Sequence, residues 1–170
     1  IAAMKLIGPN LRRVFHDGND REAREQMMLG STLAGVAFSN ASVALVHGMS
    51  RPIGAFYHVP HGLSNAMLLP TVTEYSIPAA AERYADCARA IGIADSSDNT
   101  KQANQKLMEE LYALNDELQV PTLEAFGVNR EHFFSNLETM ATQALASGSP
   151  SNNPRIPDVD EMIELYKKLW

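Results

Sequence analysis

The sequence predicts an all-α fold, a multi-helix bundle, on three observations. Apolar residues recur at helical spacing along nearly the whole chain. No stretch shows the alternation of apolar and polar residues, flanked by turn residues, that marks a half-buried strand. Capping residues and Pro or Gly breaks separate the periodic segments. With 170 residues, 45% of them apolar, there is enough material to fill the core of one compact domain.

The chain opens on Ile1-Ala2-Ala3-Met4-Lys5-Leu6-Ile7. These are good helix formers with no initiator Met and no Ser, Thr, Asp or Asn cap before them, so the reading is of a chain entered in mid-helix and truncated at its N-terminus. That helix contains Leu6 to Phe15. Asp17-Gly18-Asn19-Asp20 then supplies a break and a cap for a long helix from Arg21 to about Phe38. A further apolar helix covers roughly Ala41 to Met49. The stretch from Ser50 to Gly62 holds Pro52, Pro60, Gly54 and Gly62, which predicts mostly loop or broken helix.

Another apolar helix is expected over Leu63 to Tyr75. Pro78 can open the next, running through Ala79, Tyr84, Cys87 and Ala90 to Gly92. Asp98 or Asn99 can cap a helix to about Leu118, which Pro121 stops, and Asn129 caps one from Arg130 to about Leu145. Ala146 to Pro157 is a small, polar, Pro-rich connector. Asp158-Val159-Asp160-Glu161 has the form of a capping box, opening a last helix to Trp170 with Met162, Ile163, Leu165 and Tyr166 on its apolar side. There is no internal repeat and no low-complexity tract.

Charge and cysteine usage narrow the partners. The net charge is −6 and no Lys/Arg stripe is present, which argues against nucleic acid and against an anionic membrane surface, since both attract concentrated positive charge. Cys87 is the only cysteine, so there is no internal disulfide framework and no thiolate zinc cluster, and the chain reads as cytoplasmic. No run has the length of a membrane span, and the first residues lack the form of a signal peptide.

His47 and His61 are the candidate chemistry. One closes an apolar helix and the other sits in Pro60-His61-Gly62 just before the next. A loop joining two helix ends can bring two imidazoles onto one metal, with coordination positions left for other ligands. On spacing alone the alternative stays open that His47 is a hydrogen-bonded core residue and His61 a helix cap.

Several segments in order resemble the motif of iron-containing, group III alcohol dehydrogenases. They are Ala34-Gly35-Val36-Ala37-Phe38-Ser39-Asn40-Ala41-Ser42, Val46-His47-Gly48-Met49, Gly54-Ala55-Phe56-Tyr57, and Pro60-His61-Gly62-Leu63-Ser64-Asn65-Ala66-Met67-Leu68-Leu69-Pro70. The likeness extends more loosely from Asn19-Asp20-Arg21-Glu22-Ala23-Arg24 to Asn153-Pro154-Arg155 and the last helix. It implies the C-terminal helical domain, over residues 1–170, of a two-domain enzyme of the dehydroquinate-synthase-like type.

In that family one Asp and three His hold the metal, and the motif places the last two His at His47 and His61. The resemblance puts the remaining ligands on a helix upstream of Ile1, and the nicotinamide in an N-terminal half. No strand here leads into Gly-x-Gly-x-x-Gly or an equivalent phosphate cradle, so no residue of this chain is assigned to NAD or NADP. The implied reaction is hydride transfer between a small alcohol or aldehyde and NAD(P), with Fe²⁺ or Zn²⁺ as Lewis acid on the substrate oxygen. Ligand type does not choose between these metals. The complete enzyme would be a homo-oligomer, and the chain by itself inactive.

Arg51 departs from the family motif, where a second His is common and has been viewed as a proton-relay candidate. A guanidinium cannot shuttle a proton. Either His58 takes over the relay or Arg51 binds an anionic group of substrate or cofactor, the plain alternative being a solvent-facing Arg paired with an acid. Phe38 matches a position lining the substrate cleft, and Ser149 falls near another pocket-facing position. Ordinary packing or loop chemistry is the alternative for both. Cys87 reads as a small buried hydrophobe, and His16 and His132 as surface residues. A helical protein-interaction module without metal, and a glycerol-dehydrogenase-like relative, are the competing functions.

Overall fold

The computed structural model describes residues 1–170, and it is all helical, with no strand. Ten α-helices follow one another: α1 (Ala2–His16), α2 (Arg21–Ala41), α3 (Leu45–Tyr57), α4 (His61–Ser76), α5 (Ala81–Ala90), α6 (Thr100–Glu117), α7 (Leu123–Phe126), α8 (Arg130–Ser135), α9 (Leu137–Ala146) and α10 (Val159–Lys167). Short 3₁₀ turns lie at Ile77–Ala79 and Ser149–Asn152. The chain divides into two compact units: residues Ile1–Ser42 with Ala80–Leu114, and Val43–Ala79 with Asn115–Trp170.

In the first unit α1 and α2 pack along each other, α1 also touches α5, and Ala85, Ala88, Ala103 and Leu107 form a small core. The close approach of α1 and α2 depends on Gly30, where a Cβ would stand 2.7 Å from Ile7 Cγ1. Asp20 caps α2 by accepting a hydrogen bond from the Ala23 N–H. The larger core belongs to the second unit: Leu45, Met49, Ile53, Leu68, Leu123, Phe133, Met140, Met162 and Tyr166 are fully buried there. Helices α3, α4, α9 and α10 supply most of it, with α3 packed against α4, α9 and the Ser149–Asn152 turn.

Several boundaries differ from the sequence expectation. The stretch Ser50 to Tyr57, expected as loop, continues α3, and only residues 58–60 leave helical geometry. Pro52 removes one helical donor, but its ring is buried together with Met49, Ser50 and Ile53, and burial of that face outweighs the lost bond. The helix expected at Ala41 to Met49 therefore begins at Leu45 and runs past Met49. Pro78 lies inside a 3₁₀ turn, and the following helix starts at Ala81 rather than at the proline.

Asn99, not Asp98, opens α6, in reciprocal bonds with Gln102: each side chain accepts the other's backbone N–H, at 3.0 Å. Helix α7, capped by Thr122, was not anticipated. The helix expected from Arg130 to Leu145 is interrupted at Asn136, whose backbone leaves room for α8 and α9 as separate pieces. The 146–157 connector contains the Ser149–Asn152 turn, and the Asp158/Glu161 capping box forms as expected.

Candidate metal centre

Helix α3 carries His47 in its first turn, and α4 starts on His61 after a three-residue link. The link is short because His58 closes α3 in the left-handed conformation, φ +55°, with its N–H donating to the Gly54 carbonyl at 3.0 Å. Pro60 then stands at the N-cap of α4 with φ −54°, pre-set for helix entry. The chain thus folds back on itself and brings the two imidazoles together, with ring centroids 5.1 Å apart and planes tilted by 59°.

The surroundings of His47 suit a neutral imidazole. Partial burial lowers the His47 pKa below the ordinary histidine value, and positive charge on His61 and on Arg51 lowers it further. Arg51 stands one helical turn after His47, on the same face of α3, which explains the coupling. It is exposed. The Nδ1 of His61 is 3.2 Å from the Ser50 hydroxyl, and its Nε2 is 3.1 Å from the Asn65 side-chain nitrogen.

The floor under His47 is tight. A Cβ on Gly48 would meet Pro150 Cγ at 2.8 Å and Cδ at 2.9 Å, so only glycine lets the Ser149–Asn152 turn lie against α3 here. Farther along the helix, the buried Tyr166 hydroxyl donates to the Met49 carbonyl at 2.8 Å and ties α10 to the same segment.

The sequence-derived candidates are distributed as follows. His47 and His61 are adjacent, and no third His, Cys, Asp or Glu joins them in a cluster within this chain. Arg51 is exposed one helical turn after His47, and its charge adds to the burial and the His61 charge that lower the His47 pKa. His58 is exposed at the end of α3 and has no hydrogen bond through its ring and no ring contact with either imidazole. Ser149 is buried, at the head of the turn that packs on Gly48. Phe38 lies in the first unit near the C-terminal end of α2, 54% exposed.

Sequence reasoning overlooked Ser50 and Asn65, which contact His61. Their spacing was a usable sign, since Asn65 is four residues after His61 on one helix face and Ser50 three after His47.

The residues fit a divalent metal as part of a donor set. Nε2 of His61 lies 3.1 Å from the Asn65 side-chain nitrogen, which as a donor leaves Nε2 the unprotonated nitrogen of the ring, and burial shifts His47 toward the neutral form that a metal requires. Imidazole nitrogen suits iron and zinc alike.

The chain is an all-helical domain in which two helix ends bring two imidazoles together. Over residues 1–170 the chain matches the Fe-containing alcohol dehydrogenase family, C-terminal, and it belongs to that family. It is 36% identical to lactaldehyde reductase of Escherichia coli (strain K12) over 171 residues, covering 100% of this chain and 43% of that one. It is 32% identical to an NADPH-dependent butanol dehydrogenase of Clostridium saccharobutylicum over 169 residues, covering 99% of this chain and 42% of the relative.

Among solved structures it superposes on a 1,3-propanediol oxidoreductase with a TM-score of 0.92 at 34% identity, over 99% of this chain and 44% of that one. An alcohol dehydrogenase from Oenococcus oeni gives 0.90 at 30% identity, over 99% and 43%. The chain therefore spans less than half the length of the relatives it matches. These relatives are alcohol and aldehyde oxidoreductases by name, and the all-α fold expected from the sequence is that of the family's C-terminal part.

Proposed function

We propose that this chain forms the metal- and substrate-binding part of an enzyme that transfers hydride between a small alcohol or aldehyde and NAD or NADP, the nicotinamide being held by a domain other than this one. The observation that carries the reading is the pairing of His47 and His61 at 5.1 Å within an Fe-containing alcohol dehydrogenase family domain. Bound there, Fe²⁺ or Zn²⁺ supplies Lewis-acid polarisation of the substrate oxygen.

This chain's own residues do the placing. His47 and His61 present ring nitrogens from two helix ends fixed by the buried core of the second unit. Burial, then the charges of His61 and Arg51, lower the His47 pKa, and the guanidinium of Arg51 one turn away favours an anionic group on the substrate or cofactor. His58, exposed at the end of α3, carries a ring that can both accept and donate a proton, and we assign the relay to it. Phe38 and Ser149 are assigned to the substrate cleft through their family positions.

The test is His47→Ala and His61→Ala in the full-length protein, with metal content and turnover measured together. Both are expected to fall in each variant, because water replaces a lost imidazole poorly. Full metal occupancy with full rate in either variant would remove that residue from the ligand set.

A further inference from the structure

The hydrogen bonds around His61 fix more than its position. Ser50 is 1% exposed, and its hydroxyl lies 3.2 Å from His61 Nδ1 and 3.4 Å from the His47 carbonyl oxygen. On the other side of the ring, Asn65 Nδ2 is 3.1 Å from Nε2, while Asn65 Oδ1 is buried with no partner. An amide nitrogen only donates, so the Nε2 it faces carries no proton. The proton of the neutral ring then sits on Nδ1 and is donated to Ser50 Oγ. That leaves the Ser50 hydroxyl proton for the His47 carbonyl. Asn65 thus donates to His61, His61 to Ser50 and Ser50 to the His47 carbonyl, in one consistent direction.

We propose that Ser50 is a positioning residue that holds His61 in its Nδ1–H tautomer with the Nε2 lone pair presented to a divalent metal, and that the Asn65 amide donates to that same lone pair when no metal is bound. The proposal rests on the reading of His47 and His61 as metal ligands. Ser50 suits the part because it is buried and its second bond runs to the backbone of the other ligand, which couples the ring's orientation to the helix bearing His47. Turning the Asn65 amide over would put oxygen against Nε2 and demand the opposite tautomer, with Ser50 donating to Nδ1, and the two arrangements differ in which ring nitrogen carries the proton.

The experiment uses the full-length protein with ¹⁵N-labelled histidine, stripped of metal, at a pH where the ring is neutral. The His61 resonances, assigned by their loss in His61→Ala, are expected to show the Nδ1–H pattern. Ser50→Ala, a smaller side chain that fits the same space, is expected to shift His61 toward the Nε2–H form and to weaken Fe²⁺ and Zn²⁺ binding about 10- to 100-fold. Asn65→Ala is expected to keep the tautomer and not to weaken the metal. An Nε2–H pattern in the unaltered protein, or a Ser50→Ala variant with unchanged tautomer and affinity, would overturn the role of Ser50. A loss of metal affinity in Asn65→Ala would overturn the role of Asn65. Unchanged metal affinity in His61→Ala would instead overturn the ligand reading, and the tautomer result would stand apart from it.

Discussion

Replacing Tyr166 by Phe probes how α10 supports the helix that carries His47. The ring of Tyr166 is fully buried, lies edge-on to Phe133 with centroids 6.5 Å apart, and would keep these contacts in the variant. What is removed is the hydrogen bond to the Met49 carbonyl at 2.8 Å, made across 117 residues of sequence. That carbonyl lies inside α3, within reach of the Ile53 N–H one turn on, so it is not orphaned by the change. The loss is then the net value of one buried hydrogen bond, about 0.5–1.5 kcal/mol. For a domain of this size that corresponds to a fall in Tm of roughly 2–4 °C per kcal/mol.

Tyr166→Ala, which also empties the ring's space, is expected to cost about 3–5 kcal/mol. Scanning calorimetry of the full-length variants separates the two. A Phe variant as stable as the parent would mean that the hydroxyl contributes nothing. One as unstable as the Ala variant would mean that the ring itself had moved, and either result would refute the reasoning.

Gly48→Ala is expected to lower stability, because forcing a methyl against the Pro150 ring costs about 1–3 kcal/mol and the better helix preference of Ala returns only about 1; a rise in Tm would show that the turn yields freely. Glu161 has its carboxyl pKa depressed by the Tyr75 hydroxyl, the Asp158 N–H and Arg155. Its contribution is complete above the ordinary value of 4.5 and is lost as pH falls through the lower folded value. Glu161→Gln is therefore expected to flatten the acid limb of a Tm-against-pH curve, and an unchanged limb would contradict it. Arg51→His in the full-length protein is expected to be tolerated and to shift the pH profile of the proposed turnover; a raised KM for anionic substrates with little movement of the profile would instead mean that Arg51 clamps an anion, and an unchanged profile and KM would leave it a solvent-facing residue.

The all-helical class and most helix starts were legible in the sequence because they depend on neighbours. Asp20, Asn99, Asn129 and Asp158 each accept from an N–H three residues on, a bond the chain makes with itself. His47 and His61 could be singled out by motif and by their places on either side of an expected loop, which the structure shortens to residues 58–60. The tertiary structure decided what local rules disfavour. Pro52 stays helical because its ring is buried in a packed face, which its own sequence window does not reveal.

The same holds for the contacts that shape the site. Gly48 needs to be glycine only because Pro150, a hundred residues on, lies against it, and Met49 is tied by Tyr166 from the far end of the chain. Ser50 and Asn65 are ordinary polar residues in sequence. They gain a part only when the fold closes α3 and α4 around one imidazole, since a hydrogen bond at 3.2 Å depends on where side chains end, not on where they stand in order.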